Sequence, residues 1–165
     1  MQHLVISFLG KDKPGLVDQL SNIVKKHNGN WQNSSLHHLS GSFAGVIEVS
    51  AQADDAEAIK SALNDFADLQ VLLQTSTAEA SSNESSITLE LTANDRGGIV
   101  QDISSVVHHQ GGNLIKLVSK QGAAPHTGQM MFQAKAQIAV DEVKIDALVE
   151  ALENIADDLM VDISR

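Results

Sequence analysis

Apolar positions along this chain switch between a period of two and a period near 3.6, and the sequence of switches runs through twice. Residues 4–9 form a short apolar run with polar residues after it, as a buried strand does. After a polar turn at 10–13, Leu16, Leu20, Ile23 and Val24 fall on one helical stripe. Strands are predicted near 31–39 and over 46–51, where Ile47, Val49 and Ala51 share one face. Ile59, Leu63 and Phe66 mark a second helix, and 69–74 a closing strand. The order then returns. A strand is predicted at 87–92, a turn at 93–96, and a helical stripe at Ile99, Ile103, Val106 and Val107. A strand near 114–120 follows, and then Phe132, Ala134, Ala136 and Ile138 alternate with Gln133, Lys135 and Gln137. Ile145, Leu148, Val149, Leu152 and Ile155 make the last helix, before a strand at 159–163. Asp54, Asp55 and Asp141 stand near the starts of these second helices, where carboxylates cap free N–H groups.

A shift of 83 residues superposes the two halves without a gap from residue 4 to 34. Seven pairs are then identical: Asp12/Asp95, Gly15/Gly98, Val17/Val100, Ser21/Ser104, Val24/Val107, Gly29/Gly112 and Asn30/Asn113. Matched helical periodicity could arise by chance, but matched glycines and asparagines indicate a repeat. Gly29 and Gly112 stand where a left-handed helix cap is expected. The reading is α+β: two ferredoxin-like βαββαβ domains, each a four-stranded antiparallel sheet with both helices on one face. The expected boundaries are 1–76 for the first domain, 77–86 for a Ser- and Ala-rich linker, and 87–165 for the second.

Composition narrows the function classes. The absence of cysteine removes disulfides, thiolate metal sites and cysteine nucleophiles. The net charge of −10 is spread over both halves, so neither offers the basic footprint that gripping DNA directly requires. No apolar run reaches the roughly 20 residues of a membrane span, and the N-terminus lacks a basic leader. A cytoplasmic location is expected. Aromatic residues are only 3% of the chain, against the base-stacking surfaces of RNA-binding sheets. No phosphate loop or nucleophile elbow is present, and no enzymatic activity is expected. His37 and His38 are neighbours on a strand and point to opposite faces. His108 and His109 suit a helix C-terminus, so no metal site is assigned.

The candidate chemistry lies in the first turn of each repeat, Lys11-Asp12-Lys13-Pro14-Gly15-Leu16 and Asn94-Asp95-Arg96-Gly97-Gly98-Ile99. Pro14 suits the first turn of a helix. Glycine there weakens a helix by about 1 kcal/mol, so its presence in both repeats suggests a close approach to the backbone. Bare N–H groups at a helix start can seat a carboxylate, with Asp12, Asp95, Asn30 and Asn113 accepting from an ammonium group. Spacing alone supports equally the plainer reading, in which the aspartates cap helices and the asparagines follow glycine turns.

Asp12-Lys13-Pro14-Gly15-Leu16-Val17 with Gly29-Asn30-Trp31, and Asp95-Arg96-Gly97-Gly98-Ile99-Val100 with Gly112-Asn113-Leu114, resemble the signature of ACT domains. Two such domains filling a short chain resemble the glycine cleavage system transcriptional repressors within that family. The resemblance implies a small amino-acid effector, glycine in the repressors, bound at domain interfaces near this turn and the following Asn. It implies Asp12, Gly15, Leu16 and Asn30 as ligand-binding residues in the first repeat, and Asp95, Gly98, Ile99 and Asn113 in the second. It further implies a DNA-binding transcription-factor protein as partner, and leaves room for homo-oligomers. Gly97 departs from the pattern, standing where the first repeat has Pro14.

Overall fold

The computed structural model describes residues 1–76 and 85–164. Two compact units divide between Ser81 and Ser82. Of the linker expected at 77–86, residues 77–84 lie outside the described residues, and Ser86 already opens a strand.

The first unit runs β1 (Gln2–Lys11), α1 (Leu16–Lys26), β2 (Asn30–Leu39), β3 (Ser42–Ala51), α2 (Ala53–Asn64) and β4 (Gln70–Ser76). The second runs β5 (Ser86–Asn94), α3 (Ile99–His109), β6 (Asn113–Ala123), β7 (Met130–Ala139), α4 (Ile145–Glu153) and β8 (Met160–Ser164), with a 3-10 turn at Glu142–Lys144 before α4. Both sheets are antiparallel, in the orders β2-β3-β1-β4 and β6-β7-β5-β8. The βαββαβ repeat is therefore real.

Alternation decides which face each sheet buries. In the first unit Leu4, Ile6 and Phe8 of β1 pair with Val49, Ile47 and Gly45 of β3. Their side chains meet Leu16, Leu20 and Val24 of α1 and Ala56, Ile59 and Leu63 of α2 in one core. Leu89, Leu91 and Ala93 of β5, with Ala134, Ala136 and Ile138 of β7, do the same against Ile99, Ile103 and Val107 of α3 and Leu148 and Leu152 of α4. Both helices of a unit thus cover one sheet face and leave the other open. Phe66 and Ile155 join these cores from just beyond their helices.

Helix ends differ from the sequence reading in detail. The left-handed residues after α1 and α3 are Asn28 (φ 54°) and Gly111 (φ 75°), one position before Gly29 and Gly112. Gly29 N–H donates to the Val24 carbonyl at 2.9 Å and Asn28 N–H to Lys25, and Gly112 and Gly111 repeat this on Val107 and His108. These are Schellman closures. Gly29 and Gly112 are required for space instead: a Cβ on Gly29 would lie 2.8 Å from Ile59 Cδ1 and 3.1 Å from the Val24 carbonyl oxygen. Asp54, Asp55 and Asp141 make no side-chain cap to their helices. Asp55 instead accepts from the Asn28 amide at 3.2 Å, tying α2 to the end of α1. Within the described residues no helix is long and apolar enough to cross a membrane.

Candidate functional site

Strand β1 ends at Lys11, and the chain must reverse within a few residues to lay α1 back across the sheet. Gly15 makes that reversal possible. Its φ of 88° and ψ of 3° belong to the third residue of a type II turn, where a side chain would be strained. Gly98 has φ 86° and ψ 0°, so the second unit turns the same way. Both glycines are the N-cap residues of their helices, and Leu16 and Ile99 are the first helical residues. Pro14 therefore sits in the turn, outside the helix. The penalty for glycine inside a helix does not arise. What the position demands is a positive φ.

The turn leaves the helix start uncapped. Neither α1 nor α3 receives a side-chain hydrogen bond at its N-cap. The first intrahelical bonds run from Gln19 N–H to the Gly15 carbonyl and from Asp102 N–H to Gly98, each 3.0 Å. The N–H groups of residues 16–18 and 99–101 precede them and have no partner within their helices. The space beside the glycines is open. A Cβ on Gly15 would meet only Gln19 Nε2, at 3.8 Å, and one on Gly98 would meet nothing within 4 Å. Among the described residues no atom crowds the space that a side chain would take at either glycine. Leu16 and Ile99 offer main-chain groups only, because their side chains are in the cores.

Asp12 and Asp95 do not cap the helix starts with their side chains. Their N–H groups donate to the carbonyls of Gly41 (3.0 Å) and Met130 (2.9 Å). The Asp12 carboxylate pairs with His38 Nδ1 on β2, and the Asp95 carboxylate accepts from Gln121 Nε2 on β6. His38 and Gln121 are related by the same shift of 83 residues. Sequence reasoning missed both as partners of the turn. That shift was the available signal, but the two residue types differ. The basic residues of the turns are also engaged: Lys13 with Asp68 at 2.5 Å, and Arg96 with Asp102 at 2.7 Å.

Asn30 and Asn113 are not beside the turns of their own units. Asn30 pairs with Ser50, which pairs with His3, at the opposite end of β1 from Asp12. Nine strand residues separate those levels, about 30 Å at 3.3 Å each. Asn113 pairs with Ala139, which pairs with Ser86, again at the far end from Asp95. There it lines a hollow of about 430 Å³ with Gly112 and Asp141. The reading of Asp and Asn around one ligand thus fails within a single unit. Since α1 carries the chain back across the sheet, the ends of β1 and the start of β2 cannot coincide.

The ACT domain family model matches residues 2–76. No match is found among curated protein sequences. Among solved structures, an unknown protein from Galdieria sulphuraria is 26% identical over 99% of this chain and 97% of its own, with a TM-score of 0.83. A proposed glycine cleavage system transcriptional repressor has the same fold at 15% identity, covering 99% of this chain and 96% of its own, with a TM-score of 0.71. Residues 2–76 are thus similar to ACT domains, and the chain as a whole is a tandem of two ACT-like units.

Proposed function

We propose that this chain is an amino-acid-responsive regulatory protein: it binds a small amino acid, glycine being the first candidate, and modulates a transcription factor through protein–protein contact without gripping DNA. One observation carries the reading. Two equivalent turns each present a bare helix N-terminus behind a left-handed glycine, with open space where a side chain would be. Backbone N–H groups and the helix dipole favour a carboxylate there. Asp12 and Asp95 lie on the same turns and can take an ammonium group, since a carboxylate accepts more hydrogen bonds than the one each now makes. The effector must be small and its affinity modest. Glycine has about five heavy atoms, which at a ceiling near −1.5 kcal/mol per atom limits binding to roughly micromolar.

Each seat is one-sided. A role for Asn30 and Asn113 requires a second module brought against a turn, and self-association of the chain supplies one. An effector that binds the assembled and free states unequally then shifts the equilibrium between them, and with it affinity for the partner. The same openness favours a second reading, an interaction module whose ligand seats have lost their function. Calorimetry with glycine, serine and larger amino acids separates the two. Saturable heat with glycine supports the sensor; neither heat nor a thermal shift at millimolar concentrations leaves the interaction module.

A further inference from the structure

The two units share a backbone but differ in chemistry at equivalent central positions of their open sheet faces. In the first, Ser7 is flanked across the strands by Val46 and Leu72, and Leu9 stands on the same face. The shift of 83 residues puts Glu90 at the place of Ser7 and Thr92 at that of Leu9. Glu90 is flanked by Lys135 and Asp162, where the first unit has valine and leucine. Val118 pairs with Lys135, and Lys120 pairs with Gln133. These side chains point away from the core because Leu89, Leu91, Ala134 and Ala136 between them point into it.

A hollow of about 400 Å³ opens here, lined by Lys120, Lys135, Glu90, Thr92 and Gln133 over an apolar floor at Val118. Lys120 and Lys135 are diagonal neighbours, with Cβ atoms about 7–8 Å apart, and Glu90 is directly opposite Lys135 at about 5 Å. Among the described residues, none of the three makes an ion pair within 4 Å. Like charges as neighbours on one face repel, and this chain carries a net charge of −10. Lys120 and Lys135 against Glu90 leave the lining one positive charge in excess, with Asp162 flanking Glu90 from β8 outside it, so the lysine end of the hollow is a place where an anion is attracted rather than repelled.

We propose that this hollow on the open face of the second unit is a separate binding site for an acidic amino acid. Two ammonium groups meet the two carboxylates, and Glu90 meets the ligand's ammonium group. The long lysine stems let their charged ends converge. Thr92 and Gln133 supply neutral hydrogen-bonding groups beside them. The site lies on the sheet face away from the helices, so it is distinct from the turn at Gly98.

Calorimetry on the full chain with aspartate, succinate and glycine tests it. Aspartate binds once per chain with a millimolar Kd. Lys120→Gln and Lys135→Gln each weaken aspartate and succinate about fivefold, the upper range for an exposed charge pair, and leave glycine unchanged. Glu90→Gln weakens aspartate alone, because succinate has no ammonium group. All three residues are exposed, and an unchanged unfolding midpoint shows that each variant folds. Absence of aspartate binding at millimolar concentration overturns the proposal. So does aspartate binding that both lysine variants leave intact, or a Glu90→Gln effect equal for aspartate and succinate. Each of these outcomes is independent of whether glycine binds.

Discussion

Gly29 and Gly41 show two different reasons for a glycine, and substitution separates them. Gly41 has φ +79° with no atom within 4 Å of an added Cβ, so Gly41→Ala strains the backbone alone. That costs about 1 kcal/mol. Gly29 has ordinary φ, but its added Cβ meets Ile59 Cδ1 at 2.8 Å, Val24 Cγ1 at 2.9 Å and the Val24 carbonyl oxygen at 3.1 Å. The side-chain atoms can shift, but the carbonyl is fixed in the Schellman closure. Gly29→Ala is expected to cost about 2–3 kcal/mol, within the range for overpacking. Urea unfolding of both variants checks the order, and a Gly29→Ala midpoint at or above that of Gly41→Ala contradicts the account.

At the scale of the element, a bulge in β2 organises a polar cluster on the open face of the first sheet. The register slips between Trp31 and Ser34. Asn33 there donates its amide to Glu48 Oε2 at 2.7 Å, and His3 Nδ1 lies 3.2 Å from Glu48 Oε1. The Asn33 hydrogen bond, and after it His3, hold the Glu48 carboxyl below its ordinary value of 4.5. A carboxylate that binds its proton less readily folded than unfolded stabilises the fold fully above that value. Its contribution is lost as pH falls through the lowered folded value. Glu48→Gln should flatten the decline of the unfolding midpoint below about pH 4.5, read by thermal melts across an acid series. A variant as acid-sensitive as the parent removes Glu48 from the account. Elements such as β3 and α1 were legible because Ile47, Val49 and Ala51, and Leu16, Leu20 and Val24, bury as their spacing requires. What spacing could not supply was φ and reach. The left-handed cap moved to Asn28, and Asp55 bonded across to Asn28 rather than to its own helix. Asp12 found His38, 26 residues away on another strand. The separation of Asn30 from Asp12 was in principle readable, since a strand, a helix and a second strand reverse the chain twice.

For the whole molecule, charge and duplication set the remaining expectations. A net of −10, with Lys13, Lys60 and Arg96 each already paired with a carboxylate, gives a phosphate backbone little to hold. Fluorescence anisotropy with duplex DNA at low salt should show no saturable binding, and saturation there would overturn partner-mediated regulation. Duplication predicts two glycine seats per chain, but not equal ones. In the second unit Arg96 pairs with the first-turn acid Asp102 of α3, screening it from an arriving carboxylate. Asp18, in the first turn of α1, makes no ion pair among the described residues and repels one. Glycine should therefore bind tighter at the Gly98 turn than at the Gly15 turn, despite the loss of proline at Gly97. A Cβ placed on either glycine strains the left-handed turn that presents the amides, so each Ala variant disables one seat. Gly98→Ala should remove the tighter of two calorimetric phases and Gly15→Ala the weaker. Loss of both phases with either single variant would mean one shared site, and the two turns would then have to act on a single ligand.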